Sequence, residues 1–263
     1  MAGVILYKQL ENMAEMVKVK LFQNDNTNKK TKKFVSVLGD SISTYKGFTA
    51  DGYKIYYDEY QSARNEITSV YDIWWAKVNQ YLHAYICVNN SYSGSKVSGE
   101  RFPSANCQKR TSSLHTDKYL PDIILIYIGF NDFGNGINIV ENICMNNGES
   151  FYQSYLDMLL RIKQNYPQST IICGTLMKSC IKDRSDWKFP EKWAGISIND
   201  YNTAIKIACK TAQVGVADLA SLDMRYETLD GAHPTKNGHI TMAKAWIECL
   251  NSITDKKLRS SIF

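Results

Sequence analysis

The stretch FVSVLGDSIST, Phe34 to Thr44, decides how this chain of 263 residues folds. Its apolar run, Phe34 to Leu38, reads as a strand buried on both faces. The run breaks on Gly39 and delivers Asp40, Ser41 and Ser43 almost side by side. Gly, Asp and Ser together read as a tight turn. Such a turn is either punctuation or the mount of a nucleophile, and the partners that decide lie elsewhere in the chain.

Four more runs repeat the pattern: AYICVNNSYSG (Ala84 to Gly94), DIILIYIGFND (Asp122 to Asp132), STIICGTL (Ser169 to Leu176) and the weaker VGVADLA (Val214 to Ala220). Helical spacing lies between them. Phe151, Tyr155, Met158, Leu159 and Ile162 recur at intervals of three and four ahead of Pro167, the apolar face of a helix that proline stops. Val70 to Leu82, Asn199 to Ala212 and Thr235 to Leu250 read as helices in the same way. Strand–helix alternation predicts an α/β fold, a parallel sheet of about five strands with helices on both faces. Ligands of such sheets bind beyond the carboxyl ends of the strands, where GDSIS, NNSYSG and GFND all fall. The loops Thr44 to Ser62 and Lys178 to Ile198 are long, polar and rich in aromatics, as functional loops often are.

Residues 1–33 stand apart as an N-terminal extension of unknown role, a helix (Leu6 to Val17) followed by the basic linker NKKTKK; residues 34–263 make the main domain. A net charge of +5 is mild and dispersed and comes with no nucleic-acid-binding motif, so no nucleic-acid partner is expected. No apolar run approaches membrane-spanning length. The opening MAGVILYKQLENMAEM is too short in its apolar part, and acidic too early, for a signal peptide. Seven cysteines, five of them (Cys87, Cys144, Cys173, Cys209, Cys249) inside apolar runs, form no C-x-x-C pair. Buried free thiols of a reducing compartment are the simplest account, and neither a zinc site nor a redox dithiol is suggested. The expectation is a cytoplasmic protein, although a chain trimmed of an export signal would read alike.

A serine becomes a nucleophile when a base takes its proton, a carboxylate holds that base, and donors await the oxyanion. The chain holds four histidines. His83 falls at a helix end, His115 in an exposed loop and His239 partly buried within the last helix. His233 stands in LDGAHPTKNGH, with Asp230 three residues before it across a glycine-containing turn. That spacing lets the carboxylate hold one ring nitrogen and leaves the other as base. Gly94 permits close approach of a backbone N–H, and Asn131 offers a neutral amide donor. Each of these also has a plain reading as a turn residue.

Taken in order, GDSIS, SYSG, GFND and DGAHP resemble the motifs of the SGNH hydrolases, also called GDSL esterases and lipases. Their marker Ser, Gly, Asn and His are matched here by Ser41, Gly94, Asn131 and His233, over roughly Phe34 to Leu250. The resemblance implies a flavodoxin-like, three-layer α/β/α sandwich and hydrolysis of a carboxylic ester without metal or cofactor. Ser41 would attack the carbonyl, His233 would serve as base and then acid, and Asp230 would orient His233. The oxyanion hole would be the N–H groups of Ser41 and Gly94 and the Asn131 amide. Phe130 departs from the smaller or polar residue of many members, a change of pocket shape. Asp40 would brace the turn, Ser43 would cap the following segment, and Asp132 has no assigned chemistry.

By analogy with members that deacetylate sugars, the expected substrate is a short acyl ester, such as an acetate, of a carbohydrate or similar polar alcohol. A thioesterase or lysophospholipase, or a non-catalytic ligand-binding module on the same fold, are the alternatives. Six aromatics after the nucleophile (Tyr45, Phe48, Tyr53, Tyr56, Tyr57, Tyr60) read mostly as a packed loop, with stacking on a sugar or covering of a lipid chain as the functional reading.

Overall fold

The first stretch becomes the strand Lys33–Gly39 (β1) in a computed structural model that describes residues 32–140 and 150–260, with backbone alone for 254–260. The helix expected over Leu6 to Val17 lies outside the described residues. The strands that follow are Ala84–Ser91 (β2), Ile123–Tyr127 (β3), Thr170–Gly174 (β4), Ser179–Ile181 (β5), Lys192–Trp193 (β6), Ile196–Ser197 (β7), Gly215–Ala217 (β8) and Tyr226–Thr228 (β9). The central sheet has five parallel strands in the order β2-β1-β3-β4-β8. This is the doubly wound order of flavodoxin-like folds, in which the chain reverses direction across the sheet between β1 and β3.

Alternation along the strands sends neighbouring side chains to opposite layers. Leu38, Ile124, Ile126, Ile171 and Cys173 pack with the helices Phe151–Asn165 and Ile198–Ala212. Val35, Val37, Leu125, Tyr127 and Ile172 pack with the helices Trp74–Tyr81 and Lys236–Ser260. In the second layer Trp74 and Trp246 stack with ring centroids 5.1 Å apart and planes 9° from parallel, worth about 1 kcal/mol beyond their burial. Among the described residues no helix is long and apolar enough to cross a membrane. The six cysteines described are all free; Cys144 lies outside them.

Three local expectations are corrected. The span Val70 to Leu82 is not one helix: the 3-10 turn Val70–Asp72 ends at Ile73 (φ −76°, ψ 143°) before the α-helix Trp74–Tyr81 starts. The Asp72 carboxylate causes the break by turning back to accept from Thr68 N, Thr68 Oγ1 and Ser69 N. β2 is an edge strand, and residues 84–88 are only half-buried. The two long loops are not bare, since Thr44 to Ser62 runs into the helix Glu59–Arg64 and Lys178 to Ile198 holds β5, β6 and β7.

Register places the site. Gly39 pairs with Ser91 on one side and with Tyr127 on the other. β1, β2 and β3 therefore end level, and the turns holding Ser41, Gly94 and Asn131 leave the sheet at one edge.

Candidate active site

Gly39 is required by close approach. A Cβ built there would lie 2.7 Å from Ser43 Oγ and 2.9 Å from Ser91 Oγ, so any side chain would force the turn apart. Asp40 caps the 3-10 turn Ser41–Ser43 by accepting from Ile42 N at 3.0 Å, the bracing role expected of it. Ser43 is corrected: it caps nothing. It is fully buried, its Oγ accepts from Trp74 Nε1 (3.1 Å), and its carbonyl accepts from Trp75 Nε1 (2.9 Å) and Asn89 Nδ2 (2.8 Å). The turn is anchored through Ser43, and Ser41, itself buried, is left to line the cleft.

Burial pushes the Asp40 carboxyl up to about 7, against the pull of the Ile42 N–H and of His233. The folded state therefore holds this proton more tightly than the unfolded chain does. Its stabilising contribution is complete below the unfolded carboxylate range near 4 and is lost as pH rises through about 7. Thermal midpoints of wild type and Asp40→Asn, compared from pH 4 to 8, are expected to show wild type losing ground to the variant across that window. Parallel curves would contradict the buried proton.

His233 meets Ser41 across 192 residues of sequence. Its Nδ1–H donates to Asp230 Oδ2 at 2.7 Å, and Ser41 Oγ lies 3.0 Å from Nε2. With Nδ1 carrying the proton toward the carboxylate, Nε2 is the acceptor and the Ser41 hydroxyl donates to it. The turn is itself hydrogen-bonded: Asp230 Oδ1 accepts from Ala232 N (2.9 Å) and His233 N (2.8 Å). Burial would raise the Asp230 carboxyl, but the His233 ring and these two N–H groups outweigh it and hold it well below the usual carboxylate range. The other histidines stay apart. His239 is corrected to fully buried, with Nδ1 accepting from Trp74 N at 3.3 Å, and burial lowers it to about 3. His83 and His115 are exposed.

On the third side, the Asn131 amide borders the same cleft as Ser41 and donates one N–H to Ser95 O at 2.9 Å. An amide has two N–H bonds, so one remains for a ligand. Gly94 has φ +83° and lines a neighbouring cleft with Ser95. Two residues without assigned chemistry hold this loop. Buried Asp132 accepts from Val97 N (2.8 Å), Ser98 N (3.0 Å) and Ser98 Oγ (2.6 Å). Arg110, also fully buried, reaches Ser95 Oγ, Asn90 and Gly39 O. Tyr56 is a further addition, with its ring stacked on the His233 imidazole at 3.5 Å between centroids. Its only sequence signal was membership in the aromatic loop after the nucleophile.

The cleft over Ser41 encloses about 670 Å³. Phe130, Phe133, Trp187, Phe189 and Trp193 give it an aromatic wall, and Asn131, Asn135, Lys188 and His233 supply polar groups. A second cleft of about 1040 Å³, with Lys96, Glu100, Arg101, Gln153 and Asp157 in its lining, shares Asn135 with the first. Among the described residues no group of three or more His, Cys, Asp or Glu side chains is placed to hold a metal ion.

The family model of the GDSL-like lipases/acylhydrolases matches residues 33–187, more than half of the chain. The chain belongs to this family. Its members are ester-hydrolysing enzymes, and the match takes in Ser41, Gly94 and Asn131, while Asp230 and His233 lie past its end. A multidomain esterase of Ruminococcus flavefaciens is 32% identical over 138 residues, which are 50% of this chain and only 16% of that protein. A solved structure from Bacteroides ovatus, assigned to the GDSL-like lipases, superposes with a TM-score of 0.64 at 21% identity, covering 85% of this chain and 100% of that one. An active-site mutant of a family two carbohydrate esterase from Clostridium thermocellum gives 0.51 at 17% identity, covering 86% and 66%. At such identities the two structures establish the shared fold.

Proposed function

We propose that the protein is a serine esterase that removes short acyl groups, acetyl foremost, from carbohydrates or similarly polar alcohols. The observation that carries the reading is the continuous chain Asp230–His233–Ser41, with bonds of 2.7 and 3.0 Å, opening on a cleft. Ser41 Oγ attacks the ester carbonyl as His233 Nε2 takes its proton, and Asp230 steadies the imidazolium that forms. The free Asn131 N–H and the backbone N–H groups of Ser41 and Gly94 serve the oxyanion. His233 then returns its proton to the leaving alcohol, and water, activated in the same way, releases the acid. No metal or cofactor is assigned a part in these steps.

The alcohol side of the substrate is read from the walls. Trp193 is 50% exposed at the rim of the Ser41 cleft, a flat apolar surface of the kind on which a sugar ring can lie. The adjoining cleft, with its charged and amide side chains, suits hydroxyl-rich chains. Initial rates on p-nitrophenyl esters of increasing chain length, together with acetate release from an acetylated oligosaccharide, test the proposal. The expected result is kcat/KM highest for acetate and falling with chain length, with acetate released from the glycan. Preference for long acyl chains or for thioesters would overturn the substrate class, and no turnover of any ester would favour a binding module.

A further inference from the structure

Ser41 and His233 sit on turns from distant parts of the chain, and two adjacent tyrosines bridge those turns. The Tyr56 ring lies face to face with the His233 imidazole, centroids 3.5 Å apart and planes 8° from parallel. Its hydroxyl donates a long bond, 3.3 Å, to Asp230 Oδ2, the oxygen that His233 Nδ1 already engages. On the other side the Tyr56 backbone N–H donates to Thr44 Oγ1 (2.9 Å), whose own hydroxyl donates to Ser41 O (2.9 Å). The next residue closes the bridge: buried Tyr57 donates through Oη to Pro234 O at 2.8 Å and packs edge-on to Tyr56 at 4.9 Å.

We propose that Tyr56, seated by Tyr57, is the positioning residue of the triad, holding the His233 ring plane so that Nε2 stays aimed at Ser41. This inference rests on the esterase reading of the same site. The Asp230 bond fixes one ring nitrogen but lets the imidazole swing about that contact. A ring stacked at van der Waals distance removes the swing, which matters because reacting groups tolerate little displacement. The stack also favours the step itself. The imidazole gains a positive charge as it takes the Ser41 proton, and a cation is drawn to an aromatic face more strongly than a neutral ring is. Burial and the Asp230 carboxylate push the Tyr56 phenol up to about 12, so it remains a donor at working pH. Tyr56 touches His233 and Asp230 and is not among the residues lining the Ser41 cleft, so the proposed influence passes through His233.

The test compares Tyr56→Leu, Tyr56→Gln and Tyr56→Phe on a p-nitrophenyl ester, beside the rate of serine labelling by a fluorophosphonate probe. Leu removes ring and hydroxyl, Gln keeps a donor for Asp230 without a ring, and Phe keeps the ring alone. Leu and Gln are expected to lower kcat by on the order of 10²-fold with KM nearly unchanged, the usual cost of a misplaced catalytic group. Phe is expected to restore kcat to within about threefold, because the bond it forfeits is long and weak. Labelling should slow in parallel with kcat, since it uses the same base and no alcohol subsite. Wild-type kcat and labelling in Leu or Gln would overturn the proposal, as would a raised KM with labelling unchanged, which would make Tyr56 a substrate contact. Equal losses in Phe and Leu would assign the effect to the hydroxyl and overturn the stacking account. Failure of the wild type to label on Ser41 would instead overturn the esterase reading on which the proposal rests.

Discussion

Ser41→Ala is expected to lower kcat by on the order of 10⁶-fold while the fold stands, and His233→Ala by a similar factor. The double variant should be little worse than either single one. In the proposed mechanism nucleophile and base act as one unit, joined by the 3.0 Å bond between Ser41 Oγ and His233 Nε2, so losing one leaves the other idle. Little stability is at stake in Ser41→Ala, because the described bond of its hydroxyl is the one to His233; the thermal midpoint should move by no more than about 3 °C. A fluorophosphonate adduct should appear on Ser41 and vanish in Ser41→Ala. Ser43 should stay unlabelled, because its Oγ is fully buried and accepts from Trp74 Nε1. An adduct on Ser43, or turnover surviving in Ser41→Ala, would remove the nucleophile assignment.

The strands were legible because central parallel strands are buried on both faces, and such burial leaves an uninterrupted apolar run. β2, an edge strand with half-buried residues, carried the same signal through Tyr85, Ile86 and Val88 and so looked more buried than it is. The break at Ile73 was hidden, since it depends on the Asp72 carboxylate turning back on Thr68 and Ser69. Of the site, GDSIS and D-x-x-H were readable as turns because their partners are close in sequence, Asp40 capping Ile42 and Asp230 holding the His233 N–H. The family resemblance, not the local pattern, pointed to them as a site. Tyr56 and Arg110 were not readable. Tyr56 meets Asp230 across 174 residues and Arg110 meets Gly39 across 71. The nearer partners of Arg110 include the backbone carbonyls of Asn90 and Pro103, which leave no side-chain pattern, and nothing local distinguishes a tyrosine that stacks on His233 from five neighbouring aromatics. The aromatic wall was legible in part: Phe130 and the aromatic-rich loop holding Trp187, Phe189 and Trp193 stood out, but a loop and a hairpin declare no face, so which rings turn to the cleft did not.

Arg110→Met is expected to lower the thermal midpoint by roughly 10–15 °C, the equivalent of losing about 3–5 kcal/mol. Arg110 is fully buried, and all five of its N–H bonds are used. Nε donates to Asn90 Oδ1 (2.6 Å), Nη1 to Ser95 Oγ (3.2 Å) and Pro103 O (2.6 Å), and Nη2 to Gly39 O (2.9 Å) and Asn90 O (2.8 Å). Burial draws the guanidinium down to about 10, which still leaves it charged at neutral pH. Replacing a buried ion pair by apolar groups can be neutral when both partners leave together. Here the acceptors are mainly backbone carbonyls and stay behind, so the variant keeps their desolvation cost and loses their donors. Arg110→Lys should recover little, because a compact ammonium has three donors and cannot span a fork that reaches from Gly39 to Pro103. Catalysis should suffer as well, since Gly39 leads into Asp40 and Ser41, and Ser95 presents the carbonyl that holds Asn131. kcat per folded molecule, measured well below the lowered midpoint, is therefore expected to fall while KM changes less. A Met variant within about 1 kcal/mol of wild type, with kcat preserved, would show that neither the sheet edge nor the loop holding Ser95 depends on the buried charge.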